Sequence, residues 1–393
     1  MIPRFSYSFS IGEFWDSLKS LIPRETTSTD CFREFFPSAA VYEISSARLG
    51  IQYALQAFQL KQKARIGIQP YTCSSVMAAI TAAGFRPVFI DITNELTLDC
   101  DDLEKKVNSL DALIVTHTFG IAADIDQIKK KAGHLPIIED CAHAFLSRYK
   151  GIPVGRFFDI AVFSFGYGKF PTLGHGGLLV VNNKTYQCHI AEKINQLKPP
   201  TTWAELAFIG RRLTHSLIYS RIGYRTLHVV LGQYIANKNK RIQSSAFIEI
   251  QPFKSVQLML RKKWKFFTTW SLAQQQNALL IHNSVSSLSK SIYIINKPGN
   301  WLGVVLYCED RDHLYRYLIQ QGIGAGKHFQ YAMAWATTFG YVNGSCPMFE
   351  KIVTQILTIP CNHRLRKKDL HKIKHALAIY IPELFYEKEE NTD

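Results

Sequence analysis

Several things are missing from this sequence, and each absence removes a class of function. There is no H-E-x-x-H and no cluster of Cys and His at ligand spacing, so no metal is expected. The eight cysteines (31, 73, 100, 141, 188, 308, 346 and 361) are scattered, without a C-x-x-C pair. That pattern suggests free thiols in a reducing cytoplasm, not a disulfide framework. No G-x-S-x-G elbow exists, so the His175-Gly176-Gly177 run lacks the nucleophile of a hydrolase. A P-loop fails as well: Lys169 is followed by Phe170, and the required first glycine position holds Phe163. GIGAGK (322–327) follows a predicted helix, which makes a dinucleotide fingerprint unlikely on this pattern. The opening MIPRFSYSFSIGEFWDSL carries acids early and has no uninterrupted apolar run, so no signal peptide is expected.

Acidic residues are scarce in one quarter of the chain. Between Thr201 and Asn300, 14 Lys and Arg face only Glu205 and Glu249, so most of the net charge of +15 lies there. Such a block favours an anionic partner: a nucleotide diphosphate, nucleic acid or an acidic membrane surface. A solvated basic face is the plainer reading. No recognisable nucleic-acid-reading motif accompanies the charge, so nucleic acid is the least favoured partner. The apolar stretch from Trp203 to about Asn237 is interrupted by Arg211, Arg212, Arg221 and Arg225, too often for a membrane span. Peripheral contact with an anionic membrane, or binding of an anionic substrate, both remain open for it.

What is present is an ordinary globular composition, 47% hydrophobic and 20% charged, at a length of 393 residues that suits two domains. In the first half, RIGI (65–68), PVFID (87–91), ALIVTH (112–117), LPIIED (135–140), IAVFSF (160–165) and GLLVV (177–181) read as buried strands. Amphipathic segments between the early ones read as helices, two of them closed by Gly84 and Gly133. This alternation predicts an α/β fold with a mostly parallel sheet, whose chemistry gathers beyond the carboxyl ends of the strands. A long helix is predicted from SVQLML through HNSV. After Pro298 a strand (301–308), a helix (310–322) and a closing helix (366–381) suggest a smaller α+β domain. The expected division is an N-terminal arm (1–35), a large domain (36–250) with a basic helical segment at about 200–250, and a small C-terminal domain (251–393).

The chemistry-bearing stretch is SFGYGKFPTLGHGG (164–177), in which Lys169 stands among five glycines. A lysine on a permissive loop forms an imine with an aldehyde cofactor when its amine can be neutral. Pyridoxal phosphate then needs an acid for its ring nitrogen, a phosphate cradle at a helix N-terminus and a group facing its ring. Asp140, at the end of LPIIED, is a suitable acid. Ser45-Ser46-Ala47-Arg48 opens a predicted helix and offers the cradle.

In "SARLGIQYAL", "PYTCSSVMAAITAAGFRPVFIDI", "VTHTFGIAADID", "IIEDCAHAF" and "FSFGYGKFPTLGHGG" the chain resembles the DegT/StrS (DegT/DnrJ/EryC/StrS) family of pyridoxal-phosphate-dependent sugar aminotransferases. The likeness runs nearly continuously from Ser45 to Val181, returns at "IPCNHRLRKKDLHKIKHAL", and is poor between about 185 and 300. It implies an aspartate aminotransferase-like large domain (fold type I) and a homodimer. The activity it implies is transamination of a nucleotide-linked keto sugar, with glutamate as donor, for surface glycan or secondary metabolite synthesis. Lys169 would hold the cofactor and move the proton, and Asp140 would pair with the ring nitrogen. His143 would sit beside the ring; the plainer alternative is a core histidine bonded to backbone. Ser164, Ser46, Ala47 and Arg48 would bind phosphate, with Arg48 where the family has a hydroxyl residue. Cys73 occupies the place of the family's stacking aromatic, with Tyr71 two residues before it, and His175 the place of an acid. The Asn/Arg motif that relatives give across the dimer has no counterpart in sequence; Arg211, Arg212 and Arg241 are candidates. Relatives that act as sugar dehydratases carry histidine in place of the lysine. A non-catalytic protein keeping the fold is the other alternative.

Overall fold

The protein is described by a computed structural model covering residues 1–7, 9–22, 32–227, 249–285, 292–295, 297 and 299–390. Seven strands make the large sheet: β1 (Ala40–Ile44), β2 (Arg65–Ile68), β3 (Arg86–Phe89), β4 (Ala112–Thr116), β5 (Ile137–Asp140), β6 (Ile160–Ser164) and β7 (Gly177–Val181). Their spatial order is β1-β7-β6-β5-β4-β2-β3. β2, β3, β4, β5 and β6 pair in parallel, and β7 runs antiparallel to both of its neighbours, β1 and β6. Every residue of β4 and β5 is buried, as a parallel sheet covered on both faces requires. The six strand segments read from the first half of the sequence are all present, within two residues at each end. β1 was not expected; its AVYEI is only partly buried except at Ile44 and carries a glutamate.

Helices cover the sheet. α1 (Ala47–Ala57) starts at Ser46, whose Oγ accepts the Leu49 N–H. A Cβ at Gly50 would lie 2.6 Å from Ile44 Cδ1 and 3.1 Å from Val162 Cγ1, so glycine lets this helix approach the sheet closely. α2 (Ser74–Ala82) starts after Cys73. Farther on come α3 (Thr202–Ile218) and the long α4 (Lys254–Val285). The first half of α4 packs Val256, Met259, Leu260 and Phe267 into the core around Phe163 and Phe165. Its second half sends Ala278 and Ile281 into a separate core with Val304, Leu306, Leu357 and Ile359. That second core lies on a three-stranded antiparallel sheet, β8 (Ile292–Ile294), β9 (Val304–Cys308) and β10 (Ile356–Ile359), together with α5 (Arg311–Gln320) and α6 (Lys367–Glu390). The N-terminus belongs to it: Ile2 is buried there and bridges to Ile323.

The basic quarter of the sequence meets its counter-charges in three dimensions. Arg221 pairs with Asp369, Arg261 with Glu43, Lys262 with Asp16, Lys263 with Glu13 and Lys297 with Glu95. Arg211, Arg225, Lys254 and Lys265 have no carboxylate partner among the described residues. All five acids lie outside residues 201–300, which is why the local count overstated the field. No described helix is long and apolar enough to cross a membrane. The seven described cysteines are free thiols; Cys31 lies outside the described residues.

Candidate active site

The carboxyl ends of the parallel strands point at one cavity of about 380 Å³. β4 ends there in Thr116, β5 in Asp140 and β6 in Ser164, and α1 and α2 both aim their N-termini at it. Its walls contain Lys169, Asp140, His143, Ser164, Ser46, Ala47, Arg48, Cys73 and His175. These nine residues, singled out in the sequence, are therefore brought to one place. Tyr71 is not: it is fully buried and donates its hydroxyl to the His328 carbonyl at 2.9 Å.

Lys169 follows a turn in which its N–H reaches the Gly166 carbonyl at 3.2 Å. Its Nζ makes no hydrogen bond or ion pair among the described residues. Burial pushes its pKa down, Cys73 and Asp140 oppose that shift, and Arg4 adds to it. A larger share of neutral amine follows, which is what a nucleophilic lysine needs.

Asp140 is 3% exposed, and its Oδ1 accepts the Ala142 N–H at 3.0 Å. Burial raises its pKa; the Ala142 bond, Lys169, His117 and the Thr116 hydroxyl only partly compensate. The carboxylate is thus a buried anion short of a positive partner, as a site for a protonated ring nitrogen should be. Behind it, His117 Nδ1 accepts the Ala123 N–H at 3.0 Å, which leaves Nε2 to donate to Glu139 at 3.0 Å. His117, Glu139 and Cys141 lie close enough to suggest a metal site, but both ring nitrogens are already committed to hydrogen bonds.

His143 also resolves its tautomer. Nδ1 accepts the Phe119 N–H at 3.2 Å, and burial, then Lys169 and Arg4, hold the ring well below its usual pKa. A neutral ring accepting at Nδ1 carries its proton on Nε2, so His143 offers the cavity a donor. Its bond to backbone is the one expected of a core histidine, yet the ring also lines the cavity.

The phosphate-like end is built by α1. The first N–H groups of a helix have no intrahelical acceptor. Ser46 Oγ takes that of Leu49 at 3.4 Å, leaving those of Ala47 and Arg48 for an anion. Ser164 Oγ accepts the Gly166 N–H at 3.4 Å. Nearby, Ser45 Oγ and His175 Nδ1 are buried without a partner. Both line the cavity, and orphaned polar atoms of this kind fit a group carrying oxygen acceptors.

His175 packs its ring 4.8 Å from Phe253, and burial, Arg211 and Arg48 lower its pKa to about 4. A buried neutral histidine stabilises the fold above the unfolded pKa, and that contribution is lost as pH falls from about 6.5 towards about 4. His175→Gln is expected to remove part of this acid sensitivity, on the order of 3 kcal/mol at most between those limits. Urea melts of the apoprotein at pH 7 and pH 4.5 check it; an unchanged pH dependence counts against a neutral His175.

Sequence reasoning missed Thr116 and Phe329 on these walls, and Arg4 and His328 on the walls of an adjoining cavity. Phe329 stacks on His143 with ring centroids 5.7 Å apart and planes at 16°, bringing an aromatic to a cavity that has Cys73 where one was expected. Arg212 is not available to any neighbour's phosphate: it is 1% exposed and bonds Tyr7 and Ser17. Arg211 is exposed and lies over the Phe208 ring, and Arg241 falls outside the described residues.

A seven-stranded sheet with one reversed strand, and a lysine facing an aspartate across its strand ends, define a type I pyridoxal-phosphate fold. The chain belongs to the DegT/DnrJ/EryC1/StrS aminotransferase family, which it matches over residues 25–378. It is 36% identical over 146 residues to GDP-perosamine synthase of Escherichia coli O157:H7, spanning 36% of this chain and 40% of that one. It is 25% identical over 356 residues to UDP-4-amino-4,6-dideoxy-N-acetyl-beta-L-altrosamine transaminase of Campylobacter jejuni, 85% and 83% of the two chains. Among solved structures, PseC of Helicobacter pylori, an aminotransferase involved in the biosynthesis of pseudoaminic acid, superposes with a TM-score of 0.74. That match has 16% identity and covers 97% of this chain and 100% of that one.

Proposed function

We propose that this protein is a pyridoxal-phosphate-dependent aminotransferase that converts a nucleotide-linked keto sugar to an amino sugar, with glutamate as donor. The observation that carries it is the convergence of the unpaired Lys169 Nζ, the under-compensated Asp140 carboxylate and the α1 N-terminus on one cavity. The relatives' names add the nucleotide-linked sugar as substrate class.

Bound there, pyridoxal phosphate supplies an aldehyde that takes up amines and a ring that accepts electrons from the substrate carbon. Lys169 Nζ would hold the cofactor and would move the proton that leaves the donor's α-carbon. Asp140 would pair with the ring nitrogen. His143 would offer its Nε2–H beside the ring, and Ser164, Ser46 and the N–H groups of Ala47 and Arg48 would hold the phosphate. The Arg48 side chain adds a positive charge at that end. The buried Phe119 and His143 rings, with the partly buried Phe329, would keep water from the reacting carbon. We place the working form as a homodimer in the cytoplasm, with the product entering glycan or secondary metabolite synthesis. Arg211, Arg225, Lys254 and Lys265, exposed and without a carboxylate partner among the described residues, leave a smaller basic surface for an anionic membrane than composition implied.

Two measurements test the reading. Borohydride treatment of protein reconstituted with pyridoxal phosphate is expected to fix the cofactor on Lys169, seen by peptide mass spectrometry. Incubation with glutamate and a panel of nucleotide-linked 3-keto and 4-keto sugars is expected to yield an amino sugar from at least one. Absence of any cofactor adduct sinks the proposal.

A further inference from the structure

Arg4 is a cation with no counter-charge. Five described cations of the basic quarter find carboxylates, but no described acid pairs with Arg4. Its Nη2 lies 2.6 Å from His328 Nδ1. Desolvation, then Arg4 itself, holds that imidazole well below its usual pKa, so it accepts from Arg4 without cancelling the charge. Accepting at Nδ1 places the His328 proton on Nε2, which is itself buried without a partner. A guanidinium with further N–H donors beyond its bond to His328, and an imidazole N–H without a partner, therefore stand together.

The position is built, not incidental. Ile2 N–H bonds the Gly322 carbonyl and Gly324 N–H bonds the Ile2 carbonyl, each at 2.8 Å, which clamps the N-terminal strand beside the small sheet. Arg4 then lies over Gly326, where any Cβ would overlap its guanidinium. The result is a cavity of about 630 Å³ with Arg4 and His328 on one side and Lys169, Cys73 and Phe329 on the others. It adjoins the cofactor cavity through Cys73, Lys169 and Phe329. Enclosing a cation without an anion is costly unless a ligand supplies one.

We infer that Arg4, with His328 Nε2–H beside it, is the docking group for a substrate oxyanion next to Lys169, the α-carboxylate of the amino donor. This rests on the aminotransferase reading. A guanidinium fork matches a carboxylate with two parallel hydrogen bonds. The same chemistry also suits the diphosphate of the sugar nucleotide, and the test separates the two sources.

The experiment is calorimetry on the holoenzyme with glutarate and, separately, inorganic pyrophosphate, for the wild type, Arg4→Met, Arg4→Lys and Gly326→Ala. Arg4→Met is expected to weaken glutarate about 10- to 100-fold, the loss of a charge-assisted hydrogen-bond pair, and Arg4→Lys to restore part of it. Gly326→Ala keeps the charge but displaces it, and should weaken glutarate too; it carries the test if Arg4→Met does not fold. Pyrophosphate binding unchanged in these variants assigns the donor carboxylate. Weakening of pyrophosphate alone assigns the diphosphate to the same docking group. Unchanged binding of both probes, or wild-type protein that binds neither, overturns the inference. Variants that lose both probes together with the cofactor's absorbance show a structural role for Arg4 and also overturn it. Wild-type protein that forms no borohydride adduct on Lys169 fails the aminotransferase reading instead, so the two failures are distinguishable.

Discussion

Lys169→Ala is expected to lower transamination by about 10⁴-fold, the upper end of what a positioned acid–base group contributes. The fold should tolerate the change, because Lys169 Nζ has no hydrogen bond or ion pair to lose among the described residues. Removing an enclosed ammonium is also expected to leave the melting temperature of the apoprotein equal or higher. Arginine is no substitute, since a guanidinium does not give up its proton near neutral pH and cannot attack an aldehyde. Single-turnover absorbance, with glutamate added to reconstituted protein, separates loss of chemistry from loss of cofactor. A Lys169→Ala protein retaining more than about a tenth of the wild-type rate contradicts the lysine's assignment, given a contribution that starts at about 10².

Asp140→Asn is expected to split function from stability in opposite directions. Asparagine keeps an oxygen for the Ala142 N–H but not the charge. Losing a buried ionic partner costs about 3–5 kcal/mol, so the turnover number should fall about 10²- to 10³-fold with weaker cofactor retention. The apoprotein should become more stable. Burial raises the pKa of Asp140, so the folded state holds its proton to higher pH than the unfolded chain does. Its ionised form is therefore a burden whose weight appears as pH rises through that raised value. Thermal melts of the apoproteins at pH 7, beside stopped-flow kinetics of the holoproteins, check both halves. An Asp140→Asn apoprotein that melts lower and an enzyme of normal speed would together refute the assignment. Such a trade between activity and stability is common where a site holds an unpaired charge for a ligand.

Much of this site was legible because its parts sit at strand ends and helix starts, where local patterns are strongest. RIGI, ALIVTH and LPIIED gave their strands by apolar run alone, and Asp140 follows from where the last one stops. Ser46 was readable as a helix start for the same reason, and its Oγ does cap α1. β1 was not readable, because Val41 and Glu43 are both only partly buried and no long apolar run marks the strand. The basic quarter misled because Glu13, Asp16, Glu43 and Asp369 are far away in sequence; only the placing of α4, of Arg221 beyond α3 and of the closing helix brings the pairs together. Tyr71 was placed near Cys73 by spacing, but the chain turns its ring towards His328, where its hydroxyl finds a carbonyl.

By itself the sequence determined the alternating α/β order, the lysine loop, the acid at the end of LPIIED and the helix that starts at Ser46. These are local facts of period, turn and cap, set by a few neighbouring residues. The tertiary structure decided that Lys169 and Arg4 stand without a carboxylate partner among the described residues, and that Asp140 is only partly compensated. It also placed Arg4 and Phe329, from the two ends of the chain, on the walls around Lys169. Pairing and burial depend on residues hundreds of positions apart, so no local pattern carries them.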